Sequence, residues 1–107
     1  MSASVQISLR ALEPIDEAVK RELVVTRYYL QHYFEEYEPR EHLVELLIET
    51  NAIALQQKKL LQKMYKTASE EEATVTTEQL QALILLAKEN MQNDMRLKMH
   101  NISLYLH

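Results

Sequence analysis

The side chains with the most capacity for chemistry are four histidines and the carboxylates near them. His32 and Glu36 stand four apart, and His42 and Glu45 three apart, so each pair shares one face of a helix. Metal chemistry in helical proteins needs denser patterns, such as paired Glu-x-x-His or His-Glu-x-x-His, and neither occurs. His100 and His107 are isolated near the C-terminus. A metal-binding helical protein using His32, Glu36 and His42 is therefore the weakest of three functional expectations, and no metal ligand or cofactor is assigned. Glu35 with Glu36, and the run Glu70 to Glu72, are the candidate acid–base carboxylates. Such a pair needs burial to separate its pKa values, and these lie in segments that read as solvated surface. Ser2, Ser4, Ser8 and Ser69 fall in a tail and a loop without a histidine at a useful spacing. Cysteine is absent, which removes thiolate chemistry and disulfides. Glycine is absent too, so phosphate-cradling loops and nucleophile elbows cannot be built. The expectation is a non-enzyme.

What remains is the elements themselves. At 107 residues the chain is the length of one domain. Hydrophobic residues make up 47% and charged residues 26%, enough for a core and a solvated surface. A net charge of −4 argues against a nucleic-acid binder held by phosphate contacts. No apolar run reaches the ~20 residues of a membrane helix, and "MSASVQISLRALEP" lacks the pattern of a secretory signal. The expected compartment is the cytoplasm.

Without glycine for tight hairpins, and rich in Leu, Glu, Gln, Lys, Ala and Met, the sequence reads as all-α. Residues 1–11 read as an N-terminal arm: Val5, Ile7 and Leu9 alternate like a strand, but one strand has nothing to pair with. The helical domain covers 12–107. Its first helix runs from about Leu12 to Tyr37 with Pro14 in the first turn, and an apolar stripe through Leu12, Ile15, Val19, Leu23, Thr26, Leu30, Phe34 and Tyr37. Tyr33, Phe34 and Tyr37 continue this stripe as core, whereas Tyr28 points outward beside Val24. Pro39 breaks the helix. The second helix, about Arg40 to Lys66, carries a coiled-coil-like heptad through Leu43, Leu46, Thr50, Ile53, Gln57, Leu60 and Met64, flanked by Leu47, Ala54 and Leu61. Thr67 to Thr76 is a loop. Thr76 and Gln79 then form a capping box that starts a third helix reaching about Leu106. Short connections predict an up-down-up bundle of three long antiparallel helices.

These helices have more apolar faces than three neighbours consume. Val44, Ile48 and Leu55 lie outside the main arc of the second helix. On the third, the main stripe is Leu80, Ile84, Ala87, Met91, Met95, Ile102 and Leu106, with a second strip of Leu83, Leu86, Asn90, Asn93, Leu97, Asn101 and Leu104. Surplus apolar strips mark association surfaces, and the closely spaced Met91, Met95 and Met99 supply adaptable contact. Asn90, Asn93 and Asn101 fit either polar inserts that set register or bond an extra helix, or an equally expected solvent-facing line.

The segment Leu85 to Leu106, "LLAKENMQNDMRLKMHNISLYL", resembles the last helix of flagellar hook-junction export chaperones through Asn90 and Asn93 followed by Ile102, Leu104 and Leu106. The resemblance covers about a fifth of the chain and implies a chaperone that holds a secreted partner's helix. The leading expectation is thus a non-catalytic binding protein, a secretion chaperone or adaptor. It would contact an amphipathic partner helix through Val44, Ile48, Leu55, Leu97, Ile102, Leu104 and Leu106. The alternative is a self-associating subunit, such as a homodimer, that completes its bundle with a second copy.

Overall fold

A computed structural model describes residues 3–36 and 41–100, with side chains omitted for 33–36. The chain is mostly helical but not all-α: a small three-stranded antiparallel sheet accompanies three helices. The elements run β1 (Ser4–Ser8), α1 (Leu9–Glu36), α2 (Glu41–Tyr65), β2 (Ala68–Ser69), β3 (Glu72–Thr76) and α3 (Thr77–Met99).

The sheet corrects two expectations together. The alternating arm is strand β1, and its partner β3 lies in the segment expected to be a loop. Val5 faces Val75 and Ile7 faces Ala73 across the ladder. Ala73 and Val75 are fully buried, so the sheet closes one end of the helical core. A strand cannot show in local sequence what lies almost seventy residues away, which is why the pairing was illegible. β2 turns into β3 through only Glu70 and Glu71. Glu70 takes φ 56, the left-handed region that glycine or asparagine fills more easily.

Helix α1 starts earlier than expected. The Ser8 hydroxyl accepts from the Arg10 N–H at 3.2 Å, a capping contact, and the Leu9 N–H donates to the Glu71 carbonyl. Pro14 therefore sits inside the helix rather than in its first turn. Its ring removes the donor for the carbonyl of Arg10, an exposed residue whose carbonyl water can satisfy. At α3 the capping box forms as expected. The Gln79 N–H donates to Thr76 Oγ1 and the Thr76 N–H donates to Gln79 Oε1, both at 3.0 Å.

Helix α2 packs against both α1 and α3. Two apolar clusters fix the directions. Near the sheet, Leu12, Val19 and Leu23 meet Ala54, Leu61, Met64 and Leu83. At the other end Val25 meets Leu43, Leu47 and Leu97. Early α1 thus lies beside late α2 and early α3, so successive helices run antiparallel.

Candidate partner-binding surface

The face of α3 that packs inward is the one expected to be secondary. Leu83, Asn90, Asn93 and Leu97 are buried, whereas Ile84 is 48% exposed, Met91 and Met95 66%, and Met99 83%. At ~100° per residue, Ile84, Met91 and Met95 fall within about 40° of one another and about 120° from the line of Leu83, Asn90 and Leu97. They form a stripe on the free side of the helix.

This reversal corrects one proposed contact residue. Leu97 is 0% exposed and belongs to the cluster with Val25, Leu43 and Leu47, so it cannot touch a partner without unpacking the core. On α2, Ile48 and Leu55 are exposed as expected and Val44 is half-buried. Ile102, Leu104 and Leu106 lie outside the described residues. On α1, Val24 and Tyr28 point outward, and the Tyr28 ring packs on His32 at 4.4 Å and edge-on to Tyr29 at 5.8 Å. The core placement expected for Phe34, Tyr33 and Tyr37 also falls outside the described side chains.

Helix α3 is held inward by a polar layer between the two apolar clusters. Asn90 Nδ2 donates to Glu22 Oε2 at 2.7 Å and to Gln57 Oε1 at 2.6 Å, linking all three helices through one amide. Nearby, Asn51 of α2 donates to Thr26 Oγ1 of α1, whose hydroxyl donates to the Glu22 carbonyl. Glu22 is 6% exposed and Asp94 7%. Burial, and secondarily the negative charge of Asp94, push the Glu22 carboxyl up to about 7. Asp94 Oδ2 pairs with Lys98 at 3.4 Å, while Asp94 Oδ1, Asn90 Oδ1 and Asn93 Nδ2 are buried without partners. Asn90 and Asn93 were legible as polar inserts in one of two readings. Glu22 was missed, although its place one residue before Leu23 and four before Thr26 puts it on the buried face of α1.

A separate open cleft of about 390 Å³ lies between α2 and the end of α3, lined by His42, Glu45, Leu46, Glu49, Arg96 and His100 among others. The His42 and His100 rings are 5.3 Å apart. Among the described residues no group of three or more His, Cys, Asp or Glu side chains could hold a metal ion. His42 faces His100 at the C-cap of α3, whereas His32 packs on Tyr28 within α1, and the Glu36 side chain is outside the description. Among the described residues, no helix is long and apolar enough to cross a membrane.

No family model matches this chain, and no curated protein or solved structure does either.

Proposed function

We propose that the chain is a non-catalytic helical binding protein, an adaptor or chaperone-like module, that holds an amphipathic helix of a partner protein. The reading rests on one observation above all: Ile84, Met91, Met95 and Met99 are exposed on the side of α3 that faces away from its buried line. A polar residue at each of these positions would cost the fold little, since none is in the core. Retaining four large apolar groups there is accounted for by a surface that is covered in use. Methionine suits that use, because its unbranched, polarisable chain repacks against different partners. In this reading the three antiparallel helices are an incomplete bundle, and the partner supplies the missing helix across the α3 stripe. The strip of Ile48 and Leu55, with Val44 at its edge, is a second contact surface on α2. The resemblance of Leu85 to Leu106 to export-chaperone helices supports the same reading, and within the described part of α3 the proposed contact face is the methionine stripe in place of Leu97.

A test compares wild-type protein with Met91→Glu/Met95→Glu as bait in native extract, with circular dichroism checking that both are equally helical. A captured protein present with wild-type and lost with the double variant supports the reading. A set of captured proteins that is unchanged by the double variant refutes it. A second reading, self-association, is favoured by the presence of exposed apolar residues on α2 as well as α3. Sedimentation separates the two: a concentration-dependent dimer broken by Met95→Glu supports the self-assembling subunit.

A further inference from the structure

Strand β1 stands at one end of the sheet order β1-β3-β2, and among the described residues no strand lies beyond it. The Thr77 N–H donates to the Ala3 carbonyl at 3.0 Å, and the Leu9 N–H to the Glu71 carbonyl at 2.8 Å. Both contacts continue the β1–β3 register by one residue at either end. Bonded pairs alternate along an antiparallel ladder, so Ala3, Val5, Ile7 and Leu9 turn their main-chain groups toward β3. Those of Ser4, Gln6 and Ser8 point to the open edge, and all three residues are exposed. An open edge is usually blunted by proline, lysine, a bulge or shortness. β2, at the opposite end, has two residues. β1 has five, its "SVQIS" carries no proline and no charge, and its pairing with β3 runs without a bulge.

That edge is complementary to itself. From either direction Ser4 to Ser8 reads serine, β-branched aliphatic, glutamine, β-branched aliphatic, serine. Antiparallel pairing about a twofold axis at Gln6 sets Ser4 opposite Ser8, Val5 opposite Ile7, and Gln6 opposite its own copy. The two Gln6 residues exchange a pair of main-chain bonds, and each Ser8 N–H meets the other copy's Ser4 carbonyl, about four bonds in all. No charge within the strand is brought against its like. Val5 and Ile7 share the sheet face of buried Ala73 and Val75, yet Val5 is still 37% exposed. Ile7 of a second copy covers the apolar surface that β3 leaves open on Val5.

We infer that β1 pairs antiparallel with β1 of a second copy of this chain, joining two three-stranded sheets into one. The inference uses a surface other than the α3 stripe and does not rest on the helix-docking reading. A strand of this length makes a small interface, so the dimer is concentration-dependent.

Sedimentation of the full chain over a concentration series tests it. Wild-type protein should pass from monomer to dimer. Gln6→Pro removes an N–H that serves only the open edge and should leave a monomer with unchanged circular dichroism. Gln6→Lys and Gln6→Glu keep the main chain intact and set like charges across the axis. Each should weaken its own dimer about fivefold, and mixing the two variants should restore association. That rescue holds even if the proline variant fails to fold. A wild-type chain that stays monomeric up to about 100 µM overturns the inference. So does a dimer indifferent to both charged variants, or one broken by Met95→Glu instead, which would place the contact on α3. Capture of an extended peptide from another protein by a monomeric chain, lost in Gln6→Pro, would give the edge a different occupant and refute the pairing.

Discussion

Asn90 Nδ2 stands 2.7 Å from Glu22 Oε2, a contact between residues 68 positions apart that ties α3 to α1 across the interior. The same nitrogen donates to Gln57 Oε1, so a single amide engages both other helices. In a buried polar group of this kind, the bond contributes modestly when made and costs much more when one partner is removed.

Glu22 makes that layer sensitive to pH. Its carboxyl is raised to about 7 in the folded chain from an ordinary 4.5, so the fold favours the protonated form. Between those values the folded state binds more protons than the unfolded one, and stability falls as pH rises. The stabilising contribution is fully present below 4.5 and gone above about 7. The difference is on the order of 3 kcal/mol at about 1.4 kcal/mol per unit. Urea midpoints should therefore be higher at about pH 5 than at about pH 8, provided other groups are accounted for by a Glu22→Gln control. Glu22→Gln should flatten that slope and raise the midpoint at the higher pH. A parallel decline in both proteins would remove Glu22 as its source.

Removing Asn90 should expose the asymmetry of the layer. Asn90→Ala strands the buried Glu22 and Gln57 side chains and should destabilise by about 2–3 kcal/mol. Replacing Glu22, Gln57 and Asn90 together by leucine removes all three mutually bonded side chains at once and should cost far less than the single substitution, or stabilise. Chemical denaturation of the two variants decides this. A triple variant as damaged as Asn90→Ala would show that shape, rather than polar satisfaction, governs the layer.

The two faces of α3 should respond oppositely to truncation. Leu97→Ala leaves a cavity in a fully buried cluster and should cost about 2–4 kcal/mol. Met95→Ala removes an exposed side chain and should change stability by less than about 0.5 kcal/mol. Thermal melts distinguish them. Equal losses would mean that Met95 is packed in the free protein.

Glu70 carries left-handed backbone in the two-residue loop between β2 and β3. Its Cβ clashes in that region, at a cost of about 1–2 kcal/mol. Glycine relieves the clash but adds freedom to the unfolded chain, which offsets about 0.4–1 kcal/mol. Glu70→Gly should thus stabilise slightly, by about 0.5–1 kcal/mol, and Glu70→Val should destabilise. A drop in melting temperature for Glu70→Gly would argue against the turn geometry.

Much of the helical framework was legible in local sequence. The spacing of Leu43, Thr50, Ile53, Gln57 and Met64 identified the buried side of α2, and those five residues are buried. Thr76 and Gln79 marked the start of α3, because a capping box depends only on neighbours within one turn. The exposure of Ile48 and Leu55 on α2, and of Val24 and Tyr28 on α1, followed from helical geometry in the same way.

Two decisions belonged to the tertiary structure. Local sequence cannot say that β1 has a partner, because that partner arrives only when the hairpin following α2 folds back onto the first residues. Nor can it choose between the faces of α3. Ranked by hydrophobicity, Ile84, Met91 and Met95 should have gone inside in place of a line interrupted by Asn90 and Asn93. The fold buries the asparagine line, and Glu22 and Gln57 on two distant helices accept from Asn90 and so lower the cost of placing its amide inside. Periodicity decides where a helix has its faces; the partners available across space decide which face is buried.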